Sequence, residues 1–246
     1  MKKINIILVV VALFIVNFSF AQNDSNSANS SNDFQKIKIG IYGDFGFSYL
    51  KPKSNDYHSD GTRGAYSYGL VIDNNFTKNY TFSTGIRFSS YGGKLSFKDS
   101  LKVKSGMEAG VMKRMYRINY LEIPISLKLK TNQMGYFTPF VLVGLNNGFR
   151  LSSYSDGEFA IEQSSTIVNT ENADINDQTS FYRLSLEFGV GSEYAISQSL
   201  SAFAVLTFQN GLTNSLTGSA YSGQNYEKSN NSAMLKKFAL TIGLMF

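Results

Sequence analysis

The chain has 246 residues, with 23 Lys plus Arg against 18 Asp plus Glu, and the formal net charge of +5 is too small an excess to point to nucleic acid. Cys is absent and His occurs once, which excludes disulfide frameworks, Cys/His zinc sites and thiol nucleophiles and leaves His58 alone for any histidine chemistry. With 20 Phe, 15 Tyr, 21 Gly and only 17% charged residues, the composition suits many strands with one greasy face better than a helical or α/β enzyme.

Met1-Lys2-Lys3 leads into an apolar run from Ile4 to Phe18, and Ser19-Phe20-Ala21 sets small residues at positions −3 and −1 of a cut between Ala21 and Gln22. That three-part order predicts a cleaved signal peptide over 1–21, exporting the chain through the inner membrane. The run is shorter than the roughly 20 residues of a spanning helix, which argues against an anchor. Removing Lys2 and Lys3 lowers the net charge to +3, and no Cys follows to accept a lipoprotein acyl chain. Residues 22–35 are polar and low in complexity, which predicts a disordered leader. Residues 36–246 are expected to form one domain, in which no stretch approaches 18 consecutive apolar residues.

From Ile37 the hydrophobic period is two, and it runs longer than a soluble strand usually does. The first segment alternates Ile37, Ile39, Ile41, Phe45, Phe47 and Tyr49 with Lys38, Tyr42, Asp44 and Ser48. Segments over 66–76 and 80–96 follow, and the fourth sets Leu121, Ile123, Ile125, Leu127 and Leu129 against Glu122, Ser126, Lys128 and Lys130. A fifth covers 136–151, and the sixth sets Tyr182, Leu184, Leu186, Phe188 and Val190 against Arg183, Ser185, Glu187 and Glu193. The seventh, 199–213, leaves its register open because Phe203 and Val205 compete with Leu206 and Phe208 for the apolar face. The last alternates Phe238, Leu240, Ile242, Leu244 and Phe246 with Lys237, Ala239, Thr241 and Gly243. Eight segments suit closure, and short connections near 77–79, 131–135 and 197–198 alternate with long ones at 51–65, 97–113, 152–180 and 214–234, the asymmetry of outer-membrane barrels.

The expected fold is therefore all-β: an eight-stranded antiparallel up-and-down transmembrane β-barrel in the outer membrane of a Gram-negative bacterium. A sheet survives in hydrocarbon only when closed, and its outside must be apolar. A soluble barrel would turn the apolar rows inward. Rows five residues deep match the 9–11 residues of a tilted span, and Tyr49, Tyr80, Tyr116, Tyr120, Phe137, Phe149, Tyr182 and Tyr194 at row ends read as interfacial girdles. Pointing the polar faces inward makes Lys38, Asp44, Asp73, Arg87, Glu122, Lys128, Arg150, Arg183, Glu187, Glu193 and Lys237 a lumen network. A barrel of eight strands has room for its own side chains, so a salt-bridged plug is expected over a conducting pore. Pro124 removes one ladder donor and requires a bulge or a gap in pairing.

The last strand, Phe238, Leu240, Ile242, Leu244 and Phe246, resembles the membrane-assembly signal that the barrel-assembly machinery reads in its clients. The segments IKIGIYGDFGFSYL, NYLEIPISLKLK at 119–130, TPFVLVGLNNGFRL and LEFGVGSEYAISQSLSAFAVLTFQNGLTN together resemble the PorT-type outer-membrane barrel family of Bacteroidetes, with Leu121-Glu122-Ile123-Pro124 the most specific piece. The resemblance covers roughly 37–246 and implies an eight-stranded outer-membrane barrel. One family member takes part in type IX secretion; no catalytic set comes with the family.

The long connections carry opposite charge. Residues 92–113 hold Lys94, Lys98, Lys102, Lys104 and Lys113 against Asp99 and Glu108, whereas 152–180 holds Asp156, Glu158, Glu162, Glu171, Asp174 and Asp177 and no base. They are read as solvated loops, with docking on each other, lipopolysaccharide phosphates or a divalent cation as alternatives. His58, near Ser54, Asp56, Ser59 and Asp60, sits in a polar stretch offering no rigid support for a triad. The expectation is a non-enzymatic barrel without cofactors or metal, in contact with outer-membrane lipid and lipopolysaccharide. It binds partner proteins of secretion or envelope assembly; the alternatives are a narrow passive channel and a lipid-modifying enzyme.

Overall fold

The computed structural model describes residues 35–55, 57–103, 106–161, 167–217, 219–222, 227–230 and 232–246. The cut at Ala21–Gln22, the leader up to residue 34, and Asp56, Lys104 and Glu162 lie outside the described residues. Among the described residues there are twelve strands: β1 (Ile37–Pro52), β2 (Tyr57–Gly61), β3 (Arg63–Asn75), β4 (Tyr80–Val103), β5 (Gly106–Lys130), β6 (Phe137–Ile161), β7 (Ile167–Asp174), β8 (Tyr182–Ala195), β9 (Ser201–Gly211), β10 (Ser219–Ser222), β11 (Glu227–Asn230) and β12 (Ala233–Met245). Eight form a closed antiparallel ring in the order β1, β3, β4, β5, β6, β8, β9, β12 and back to β1.

Closure is made by the two ends of the domain. β1 and β12 pair from Gly40 opposite Met245 to Pro52 opposite Ala233, and Phe246 exchanges both backbone hydrogen bonds with Ile39. No edge is left along this seam for lipid to meet. At the end of the barrel holding both of these termini, the connections are tight: Phe76 N–H donates to the Tyr80 carbonyl, Gly135 takes a positive φ of 62°, and Ile196 N–H donates to the Leu200 carbonyl.

Alternation sets the two faces. Val190 and Leu206 are 65% and 67% exposed on the outside, whereas Arg183 is fully buried within. The seventh segment follows the same rule, with Phe203, Val205, Thr207 and Gln209 inward and Leu206 outward. Phe203 goes inward to pack in a buried apolar cluster with Val71, Phe140, Val205 and Met245. Tyr116 and Tyr120 correct the girdle assignment: both are wholly buried inside the barrel, while Tyr80, Phe137, Tyr182 and Tyr194 remain exposed. Tyrosine is amphipathic, so its place in a row does not say which side of the wall it faces.

The connection expected over 97–113 is instead a continuation of strands, since β4 and β5 stay paired up to Val103 opposite Gly106. β6 likewise runs on to Ile161, and β2 and β7 pair on β4 and β6, so a sheet in the order β2, β4, β5, β6, β7 rises beyond the barrel. These strands far exceed the 9–11 residues of a span. Polar residues on both faces hid the alternation. Tyr57, Phe97, Met112 and Phe159 lie opposite one another in one row and bury together with Ile161.

Two irregularities shape the wall. The pairing of β5 with β6 slips between Asn119 and Tyr120, leaving Leu151 looped out and 53% exposed. Even-numbered residues of β6 face the lumen before this bulge and odd-numbered ones after it, which lets Asn146 and Phe159 both point inward. At Pro124 the β4–β5 ladder is interrupted between Ile125 and Glu122 without a change of register, and Thr84 Oγ1 donates to the Pro124 carbonyl at 2.9 Å.

Candidate functional site

The lumen is filled in layers. At the short-turn end, Lys128 Nζ lies 2.6 Å from Asp73, whose other oxygen accepts from Ser83 Oγ at 2.6 Å, and Lys130 lies 2.8 Å from Glu193. The Lys128 ammonium also stands 5.5 Å and 5.4 Å from the ring centroids of Phe140 and Phe203, so its charge rests on aromatic faces. Lys38 is half-buried at this mouth, opposite Asp73 across the β1–β3 ladder.

The middle layer centres on Glu122, which is wholly buried. Arg183 Nη1 reaches Glu122 Oε1 at 2.8 Å, and Arg87 Nε reaches Oε2 at 2.8 Å. Ser89 and the Tyr91 hydroxyl donate to Oε2 at 2.9 Å and 2.7 Å. Arg87 also touches Glu187, which accepts from Asn146 Nδ2 at 2.5 Å. Lys237 pairs with Asp44 and donates to Ser67 Oγ. Nε and Nη2 of Arg183 make no hydrogen bond, but its guanidinium carbon lies 4.8 Å and 5.8 Å from the rings of Tyr91 and Tyr120, whose faces receive the charge.

These ten ion-pair members comprise five carboxylates and five cations, so their charges balance. Moving an isolated ion into such a site costs several kcal/mol, and only pairing with full hydrogen bonding offsets it. Sequence alternation pointed to nine of the charged members and left out Lys130. It missed Tyr91, Ser89, Asn146, Ser67 and Ser83, whose inward parity on their strands was the available signal.

Above this layer the lumen is apolar again: Leu50, Leu95, Tyr116, Ile118, Tyr120 and Leu235 are all wholly buried. Two long connections add Ile175 and Leu216 to the same cluster, so parts of 175–180 and 212–217 cap the mouth. Arg150 faces inward here and joins no ion pair of the middle layer; Nη1 donates to the carbonyls of Asn176 and Thr179 and to Thr179 Oγ1, holding the 3₁₀ turn Asn176–Gln178 in place. Gly93 lets the wall itself narrow at this level, since a Cβ there would lie 2.7 Å from the backbone nitrogen of Leu50. Ser48 Oγ both donates to and accepts from the Gly92 backbone at the same place.

The projecting sheet brings the oppositely charged connections together. A groove of about 660 Å³ holds Lys94, Lys113 and Arg117 on one side and Asp156, Glu158 and Glu171 on the other. Arg117 lies 3.6 Å from Asp156 and donates to Asn172 Oδ1, and Lys113 stands opposite Glu158 across the ladder. His58 lies on β2, exposed, opposite Ser96. Among the described residues no group of three His, Asp or Glu side chains is placed to hold a metal ion.

The family model for the outer membrane protein beta-barrel domain matches residues 20–219. No curated protein matches the chain. Among solved structures, it is similar to Neisserial surface protein A (NspA), with 10% identity, a TM-score of 0.40 and coverage of 86% of this chain and 98% of that one. It is also similar to Ail, the attachment invasion locus protein of Yersinia pestis, with 10% identity, a TM-score of 0.34 and coverage of 86% and 100%. The outer membrane protease OmpT from Escherichia coli gives 11% identity, a TM-score of 0.36 and coverage of 90% and 99%.

Proposed function

The chain belongs to the outer membrane protein beta-barrel domain family, and from that premise we propose that it is a non-enzymatic barrel whose own side chains close its lumen and whose work is done by surfaces outside it. The observation that carries this reading is the interior itself. Glu122 with Arg87, Arg183 and Tyr91 fills the middle, and the layer of Tyr116, Tyr120, Leu95 and Leu216 covers it. A lumen void of about 60 Å³ beside Arg87 and Glu187 has room for a water or two, not for a file of solute. Partner proteins then have the projecting sheet on one side of the membrane and the short turns on the other.

In the finer reading the protein is a PorT-type barrel of Bacteroidetes, exported with cleavage after Ala21, inserted through recognition of Phe238 to Phe246, and working in type IX-like secretion or envelope assembly. The test is deletion of the gene followed by mass spectrometry of secreted and surface proteins. Loss of the secreted set, with its precursors held in the periplasm, supports the secretion role and directs attention to the short turns. An unchanged secretome removes that role and leaves an envelope-structural or adhesive barrel.

A further inference from the structure

The outer face of β3, β4 and β5 changes character in an ordered way from the membrane upward. Its apolar band ends on Tyr66, Phe88 and Leu121, with the Tyr68 and Phe88 rings stacked 5.7 Å apart just below. Next comes a polar pair, Ser90 opposite Asn119. Two residues further, about 7 Å along the strands, Gly92 stands opposite Arg117, and Lys94 follows on the same face. The missing side chain at Gly92 is replaced by that of Arg63, whose Cδ would lie 2.6 Å from a Cβ there. Arg63 therefore reaches over the end of its own strand towards Arg117.

Two guanidiniums are thus held near each other at the rim. Partial burial, first, and the charge of Arg117, second, push the Arg63 guanidinium below its usual range, and Asp156 is the carboxylate that counters both. Asp156 is itself shared, since it also accepts the Asn172 backbone N–H at 2.8 Å. Of the other groove carboxylates, Glu158 and Glu171 lie beyond it on β6 and β7, away from β3, and Asp60 lies on β2 between Ser59 and Gly61, which pair with Leu95 and Lys94. An anion seated among Arg63, Lys94 and Arg117 relieves this repulsion and gains charge-assisted, bidentate hydrogen bonds.

We propose that Arg63, Lys94 and Arg117 form a binding site for a phosphate of the lipopolysaccharide headgroup in the outer leaflet. The occupant follows from the vertical order. A phosphate here belongs to a lipid whose chains run down over Tyr66, Tyr68 and Phe88, as aromatic rows and cations above them suit an interfacial lipid. The inference rests on the outer-membrane placement of the barrel and not on its partner-binding role, so an unchanged secretome leaves it standing.

The test measures binding of the detergent-solubilised full chain to purified lipopolysaccharide, to the same material after dephosphorylation, to phosphatidylglycerol vesicles and to inorganic phosphate. The expected result is a tenfold or greater loss of lipopolysaccharide affinity in the combined variant Arg63→Gln, Lys94→Gln, Arg117→Gln. Dephosphorylation should cause a similar loss. The control Lys51→Gln, Lys53→Gln, which removes charge at the end of β1, should stay within twofold. Heat-modifiable gel migration checks that each variant is folded; should the combined variant fail it, the three single variants carry the test, each expected to lose two- to fivefold. Unchanged affinity in the variants, or equal binding of dephosphorylated material, overturns the site. Equal binding of phosphatidylglycerol, or displacement by inorganic phosphate at the lipid's own concentration, overturns the assignment to lipopolysaccharide.

Discussion

Arg183 on β8 and Glu122 on β5 meet at 2.8 Å with no exposure of either side chain, although β6 stands between their strands. The contact therefore bridges the lumen rather than following the wall, and it sets the tyrosine layer above it through the Arg183 guanidinium.

Removing the carboxylate should be costly. Glu122→Ala leaves Arg87 and Arg183 buried without their main partner, and breaking such a pair costs about 3–5 kcal/mol. Denaturant unfolding in detergent or lipid checks this, and a loss below about 1 kcal/mol would show that the network contributes little.

Closure of the lumen has an electrical signature. The wild-type protein in a planar bilayer should give no steady single-channel steps, and the double variant Tyr120→Ala, Leu216→Ala, which thins the cap, should still give none while Glu122 keeps the middle layer in place. Steps from the wild type would replace the closed barrel by the channel reading.

The projecting sheet should come apart before the barrel does. Phe159→Ala empties the β6 end of the row Tyr57, Phe97, Met112 and Phe159, and truncating a buried Phe typically costs about 3–5 kcal/mol. Limited proteolysis should then cut within 97–113 while the heat-modifiable core persists; loss of both together would show that the sheet and barrel fold as one unit.

A side chain at the seam should block closure. A Cβ on Gly46 would fall 1.9 Å from the Phe238 carbonyl oxygen, so Gly46→Val requires the β1–β12 backbones to separate. The expected outcome is loss of the compact unboiled gel band, with refolding yield reduced several-fold; an unaltered band would show that the seam can yield.

The Leu151 bulge offers a gentler test. Deleting Leu151 restores regular pairing and keeps Arg150 and Ser153 on their present sides, so folding and protease resistance should match the wild type. Failure to fold would assign the looped-out residue a role beyond register.

Much of this architecture was legible because a period of two is a local property of the chain. Lys128, Asp73, Glu187 and Lys237 could be set inward one by one, each from its own neighbours. The partners could not, since Lys237 and Asp44 are 193 residues apart and meet only when the ring closes. The extent of β4, β5 and β6 was hidden for the opposite reason: once clear of lipid, both faces of a sheet tolerate polar residues, and Lys94, Ser96 and Lys98 look like loop.

The sequence by itself determined the eight strands of the ring and the sign of most of their faces, because lipid outside and packed charge inside impose alternation residue by residue. Only the tertiary structure decided which cation meets which carboxylate, which way Tyr116, Tyr120 and Phe203 point, and that Arg63 lies over Gly92 beside Arg117. Those relations depend on register, on a bulge and on strands brought together by closure, and a one-dimensional pattern carries none of these distances.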